Sequence, residues 1–146
     1  SLAHKMGGAF DLPHGLCIAI ALPQVIRFNA QRPQKLAMWP HYATYHATKD
    51  YADIARFLGL KGDTDEELME AYVQKIIELA HECGVTLSLK ANGVSRKDFD
   101  KAVDKLAVLA YEDQCTTTNP VEPLVSQLKE LLERCYDGTG VEPQDK

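Results

Sequence analysis

The tightest constraint on the fold is an apolar stripe: Leu68, Met69, Tyr72, Val73, Ile76, Ile77 and Ala80. These residues recur at three- and four-residue intervals, which gathers them on one face of an α-helix and does not fit the two-residue period of a strand. Thr64 followed by Glu67 supplies a capping box at the start, and Gly84 supplies the stop. The same grammar recurs along the chain. Thr48 caps a helix whose apolar positions are Tyr51, Ile54, Ala55 and Leu58, closed by Gly59. Ser95 opens another, with Phe99, Ala102, Val103, Leu106, Leu109 and Ala110 on one face. Pro123 falls in the first turn of a last helix striped by Leu124, Leu128, Leu131, Leu132 and Cys135, where its missing N–H costs nothing. The predicted fold is all-α and multi-helical.

The N-terminal segment is less regular. Residues 1–6 read as the end of a helix, and Gly7-Gly8 is expected to terminate it. Pro13 and Gly15 flank His14 and are expected to turn the chain tightly into the next element. From Gly15 to about Asn29 the sequence is apolar on nearly every side, so a helix there should be buried all round, with a kink at Pro23. The alternation Cys17-Ile-Ala-Ile-Ala also fits a strand, but the length and alanine content favour a helix. Residues 30–47 contain Pro33, Pro40, two histidines and two tyrosines without a period, and read as a loop. The polar stretch from Thr139 to Lys146 reads as a fraying tail.

With 146 residues, 45% of them hydrophobic, the chain can form one domain with a real core. A formal charge of −5, without any basic cluster interleaved with aromatics, argues against nucleic acid as a partner. The longest apolar run is broken by Pro23 and Gln24 and falls short of the ~20 residues of a membrane span. No membrane is expected, and the cytoplasm is the default location. Cys17, Cys83, Cys115 and Cys135 show no paired spacing and read as reduced thiols, with Cys17 and Cys135 in the core and Cys83 at a helix end. No glycine-rich phosphate loop follows a strand, so no nucleotide site is expected within the chain.

Two histidines, His4 and His14, bracket the Gly-Gly pair, and His14 sits in a Pro-His-Gly corner that would hold an imidazole rigidly. By spacing alone, two histidines are a weak metal signal. The string Ala3-His-Lys-Met-Gly-Gly-Ala-Phe-Asp-Leu-Pro-His14-Gly15, running into Leu16-Cys-Ile-Ala-Ile-Ala-Leu-Pro-Gln-Val-Ile-Arg-Phe-Asn-Ala30, resembles the metal-binding signature of the iron-containing (group III) alcohol dehydrogenases. Within that family it is most similar to the alcohol dehydrogenase part of the bifunctional aldehyde-alcohol dehydrogenases. Tyr111-Glu-Asp-Gln-Cys115-Thr-Thr-Thr-Asn-Pro120, Tyr136-Asp-Gly138 and Tyr51-Ala-Asp-Ile-Ala-Arg-Phe-Leu-Gly-Leu60 agree with it. The resemblance spans residues 1–138, taken as one helical metal-binding domain, with 139–146 as a tail.

That resemblance implies the helical C-terminal domain of the dehydroquinate synthase-like fold, without its N-terminal α/β nucleotide-binding domain. It implies reversible hydride transfer between NAD(H) and acetaldehyde or ethanol, with Fe(II), or Zn(II) as a substitute, polarising the aldehyde oxygen. Of the family's four ligands, one aspartate and three histidines, it carries only the last onto this chain, at His14; the preceding one would fall one residue before Ser1. A lone ligand cannot build a catalytic centre, which needs about three. The chain is therefore expected to be a piece of a larger enzyme, to bind neither metal nor NAD fully, and to be inactive by itself. His4, as the histidine of the family's Met/Leu-Ala-His element, would lie near the nicotinamide in a catalytic or proton-relay role, or simply shape the cleft.

Cys115 would face the substrate end of the cleft, on a loop in which Thr118 or Asn119 could also cap the last helix. Val121 stands where the family usually has arginine, and Asp11 where several relatives have histidine or another polar residue. His41, His46 and His81 read as surface residues, the first two without an acidic partner at ligand spacing. The subfamily forms filaments, so the larger enzyme would be a homo-oligomer. Alternative readings are a helical assembly module and a dehydrogenase for another alcohol or diol.

Overall fold

A computed structural model describes residues 1–31 and 45–142. Six α-helices account for most of it: α1 (Leu2–Phe10), α2 (His14–Asn29), α3 (Ala47–Phe57), α4 (Asp65–Glu82), α5 (Arg96–Tyr111) and α6 (Val125–Asp137). A 3-10 turn, Gln114–Thr118, lies between α5 and α6. No strand occurs among the described residues, in agreement with the all-α expectation. The irregular segment expected over 30–47, including His41, falls largely outside the described residues.

The amphipathic stripes land where their spacing predicts. On α4, Leu68, Val73 and Ile77 are buried and Met69, Tyr72, Ile76 and Ala80 are partly so. Thr64 accepts from the Glu67 N–H at 3.2 Å, but Glu67 returns its carboxylate to the Asp63 N–H at 2.7 Å, one residue before the cap. Gly59 and Gly84 both take positive φ, and in each case the following residue reaches back five positions, Leu60 to the Ala55 carbonyl and Val85 to the Ala80 carbonyl. Both bonds close a helix in the Schellman manner and occupy carbonyls that would otherwise lack a partner.

α2 is the central element and touches α1, α4 and α6. With α1, α5 and α6 it builds the main core, in which Met6, Cys17, Ile20, Phe99, Leu132 and Cys135 are almost wholly buried. Burial pushes the Cys135 thiol up to about 12, so this cysteine is inert packing. Val121 is buried in this core, which accepts an apolar side chain there. A second cluster joins Ile26 to Val73, Ile77, Leu87 and Val141, and a third packs Ala52 and Ala55 against Leu68. The C-terminal end of α6 is finished by the segment after α4: the Leu89 and Lys90 N–H groups donate to the Cys135 and Tyr136 carbonyls at 3.0 and 3.1 Å.

Several local expectations are corrected. Gly7-Gly8 does not end α1, which continues to Phe10 and closes on Asp11 at φ 52°, a left-handed position that aspartate tolerates. Gly7 instead serves proximity, since a Cβ there would sit 3.2 Å from the Leu12 carbonyl oxygen of the turn into α2. Gly15 lies inside α2 and makes no turn; Pro13 is the cap, and Pro23 lies within the helix. α2 is not buried all round, because Ile18 and Leu22 are exposed.

His46 caps α3 rather than Thr48, whose hydroxyl donates to the Ala30 carbonyl at 2.9 Å, and Ile54 and Leu58 are exposed. Leu109 and Leu124 are also exposed. Pro123 precedes α6, whose cap is Leu124, so neither Thr118 nor Asn119 caps it. The polar tail does not fray at Thr139. Gln24 and Arg27 donate to the Thr139 and Gly140 carbonyls at 2.8 Å each, His81 Nε2 donates to the Val141 carbonyl at 3.0 Å, and Val141 is buried.

Candidate metal centre and substrate cleft

α1 and α2 form a helical hairpin through the short turn 11–13, and this brings together two residues ten apart in sequence. The His4 and His14 rings stack with centroids 4.8 Å apart and planes 14° from parallel. Both side chains are exposed, His4 on α1 and His14 in the first turn of α2. An imidazole lone pair lies in its ring plane. An ion held by one of two stacked, nearly parallel rings is therefore out of plane for the other, and the pair does not chelate as it stands. One of the two can act as a donor with its neighbour stacked beside it.

From His14 an outward stripe continues along α2 through Ile18 and Leu22, at four-residue steps. Ile18 is 45% exposed and Leu22 37%, in a helix otherwise committed to the core. The stripe leads to a cavity of about 210 Å³ lined by Ile18, Leu22, Val25 and Phe28 of α2, by Ala3 of α1, and by Cys115. Cys115 thus opens onto a mainly apolar hollow, although neither imidazole lines it. The functional element that sequence reasoning missed is this exposed stripe. Its signal is the i, i+4, i+8 series from His14, hidden because α2 is apolar on its other faces too.

The loop carrying Cys115 is clamped to α1. Lys5 Nζ lies 2.8 Å from Asp113 Oδ2, and Asp113 Oδ1 accepts from the Cys115 N–H at 2.9 Å. The Thr116 hydroxyl donates to the Ala110 carbonyl at 2.6 Å, and Asn119 Nδ2 donates to Asn29 Oδ1 of α2 at 2.7 Å. The Lys5 ammonium beside Asp113, aided by the Cys115 N–H, holds that carboxyl far below the usual carboxylate range.

The sign of the resulting pH dependence follows from a depressed pKa. The clamp contributes fully above the ordinary carboxylate pKa of about 4 and is lost as pH falls below it toward the folded value. The urea midpoint should therefore drop as pH is lowered from 4 toward 2.5, and Asp113→Asn should flatten that slope. The slope that remains belongs partly to Glu70, which Arg27 holds low in the same way. Parallel acid profiles for the two proteins would contradict the clamp.

The other described histidines, His46 and His81, stand apart. His46 Nδ1 donates to Asp50 one turn along α3, an acidic partner the sequence reading did not credit, and His81 is spent on Val141. Asp11 is exposed at the end of α1. Among the described residues no group of three or more His, Cys, Asp or Glu side chains is positioned to hold a metal ion. A catalytic centre takes about three protein ligands, so these residues do not by themselves build one. No described helix is long and apolar enough to cross a membrane.

Residues 1–136 match the model of the Fe-containing alcohol dehydrogenase family, C-terminal. An aldehyde-alcohol dehydrogenase of Streptococcus pneumoniae is 43% identical over 98% of the chain, which spans 16% of that relative's length. An NADPH-dependent butanol dehydrogenase of Clostridium saccharobutylicum is 33% identical over 97% of the chain, which spans 33% of it. The structure of an iron-containing alcohol dehydrogenase from Thermococcus thioreducens superimposes with a TM-score of 0.71 at 33% identity, covering 94% of this chain and 31% of that one. The helices and the match agree from α1 to α6: the chain belongs to the iron-containing (group III) alcohol dehydrogenases and is homologous to the C-terminal domain of the bifunctional aldehyde-alcohol dehydrogenases.

Proposed function

We propose that the chain is the helical wall of the active-site cleft in an NAD-linked, iron-dependent alcohol dehydrogenase that interconverts acetaldehyde and ethanol. The observation that carries this reading is the exposed His14–His4 stack at the head of the apolar stripe leading to Cys115. His14 donates one imidazole nitrogen to Fe(II), or to Zn(II) in its place. The remaining ligands and the dinucleotide site belong to parts of a larger protein outside these 146 residues. His4 works beside the metal ligand, lining the opening or relaying the proton of the reacting alcohol. Ile18 and Leu22 keep the approach dry, and Cys115 borders the substrate end without acting as a nucleophile, since hydride transfer needs none. The larger protein is a cytoplasmic homo-oligomer.

The S. pneumoniae relative supports acetaldehyde and ethanol; the butanol dehydrogenase supports a longer alcohol, and the cavity volume does not choose between them. An assembly role is favoured by a different feature, the exposed Ile54, Phe57 and Leu58 of α3 and its end, with Phe57 89% exposed. The deciding experiment is steady-state reduction of acetaldehyde and butanal, with NADH and with NADPH, by the iron-loaded larger protein. Acetaldehyde with NADH should give the highest kcat/KM. A preference for butanal would move the substrate to the longer alcohol, and no turnover on either would leave the assembly reading.

A further inference from the structure

We propose that a second cavity, between α2 and α6, binds a small dianion of the phosphate class, either the free ion or a phosphate monoester. The cavity measures about 250 Å³ and is lined by Gln24, Arg27, Gln31, Gln127, Glu130 and Arg134, over a floor of Phe28 and Leu131. Arg27 and Arg134 both line it, and their guanidiniums both approach Gly140: a Cβ there would lie 3.2 Å from Arg27 Nη1 and 4.0 Å from Arg134 Nη2. Only one of them is neutralised. Arg27 gives Nε and Nη2 to Glu70 at 3.1 and 2.6 Å and Nη1 to the Gly140 carbonyl. Arg134 has no ion-pair partner among the described residues, and its single side-chain bond runs from Nε to Gln24 Oε1 at 2.8 Å.

Gln24 is 1% exposed and is itself fixed by its bond to Thr139, so the Arg134 guanidinium is held in place while its two Nη groups keep their donors. A planar fork with free donors matches phosphate oxygens in a way a lysine cannot. Gln127 adds a neutral donor: its Oε1 is occupied by the Leu124 N–H at 2.9 Å, which leaves its amide N–H groups available. The volume accommodates several waters at about 30 Å³ each, enough for a phosphate with a small ester group. Glu130 is the one acid among the described lining residues and is exposed, so it weakens binding without blocking the pocket.

The test titrates inorganic phosphate and, separately, methyl phosphate into the 146-residue chain at constant ionic strength, by calorimetry and by the side-chain NMR signals of Arg134 and Gln24. Saturable binding of either probe is expected. Binding of both assigns a monoester, and binding of phosphate alone assigns the free ion. Arg134→Lys keeps the charge but loses the fork and should weaken binding about tenfold. Glu130→Gln removes a repelling charge at an exposed position and should tighten binding about threefold or more. No saturable binding, or affinities unchanged in Glu130→Gln, would overturn the site; the second variant keeps the test decisive even if Arg134→Lys unfolds.

Discussion

Replacing His14 with alanine in the larger protein that carries this domain should strip it of iron and reduce kcat/KM for acetaldehyde by more than about 100-fold, the upper range for merely disturbing a ligand's supporting contacts. The expectation rests on position. His14 is in the first turn of α2, a helix anchored by Cys17 and Ile20 in the main core, so its imidazole is presented from a rigid base. His4 sits beside it on α1, which is locked by Met6 and by the Lys5–Asp113 clamp. His4→Ala should behave differently: iron retained, kcat lowered, and the pH profile of kcat altered. Metal content by plasma emission spectrometry, measured beside kinetics, separates the two roles. Normal iron and normal turnover in the His14 variant would refute the ligand assignment.

Phe99→Ala should be the most destabilising single substitution among the core positions, at about 3–5 kcal/mol. Phe99 is fully buried on α5, 4.5 Å from the Tyr136 ring of α6 and 6.2 Å from the Phe10 ring of α1. It is thus the point where three helices meet, and its removal leaves a cavity that all three would have to collapse around. Aromatic pairing adds about 0.5–1.5 kcal/mol beyond the buried area. Against a total of about 5–15 kcal/mol for a domain, this loss is a large share of the stability. Urea unfolding followed by circular dichroism gives the number directly. Val108→Ala, on the exposed side of the same helix, should cost less than about 0.5 kcal/mol. Similar midpoints for the two variants would contradict this picture of the core.

Most helices could be read from the sequence because their signals are local. The 68–80 stripe and the Phe99–Ala110 face have polar residues opposite, and Gly59 and Gly84 end helices by letting the next residue bond five back. What escaped depends on partners far along the chain. Gly7-Gly8 has the local preference of a terminator, but the space Gly7 leaves at the Leu12 carbonyl matters more. Residues 139–141 look like a frayed tail because Gln24, Arg27 and His81, which hold them, lie 60 residues or more away in sequence. The same holds for Lys5 and Asp113. The candidate site was half readable: the motif named His14 and His4, but the stacking needed the hairpin. The face of α2 left open needed knowledge of which helices cover the others.

On the reading proposed above, this domain brings one metal ligand, His14, to a centre whose other donors lie elsewhere. The most direct measurement is the iron retained per chain after anaerobic Fe(II) loading and desalting of residues 1–146 alone, followed by an NADH-linked acetaldehyde assay. Iron far below one per chain and no turnover are expected. One tightly held iron per chain, with aldehyde reduction, would contradict that reading.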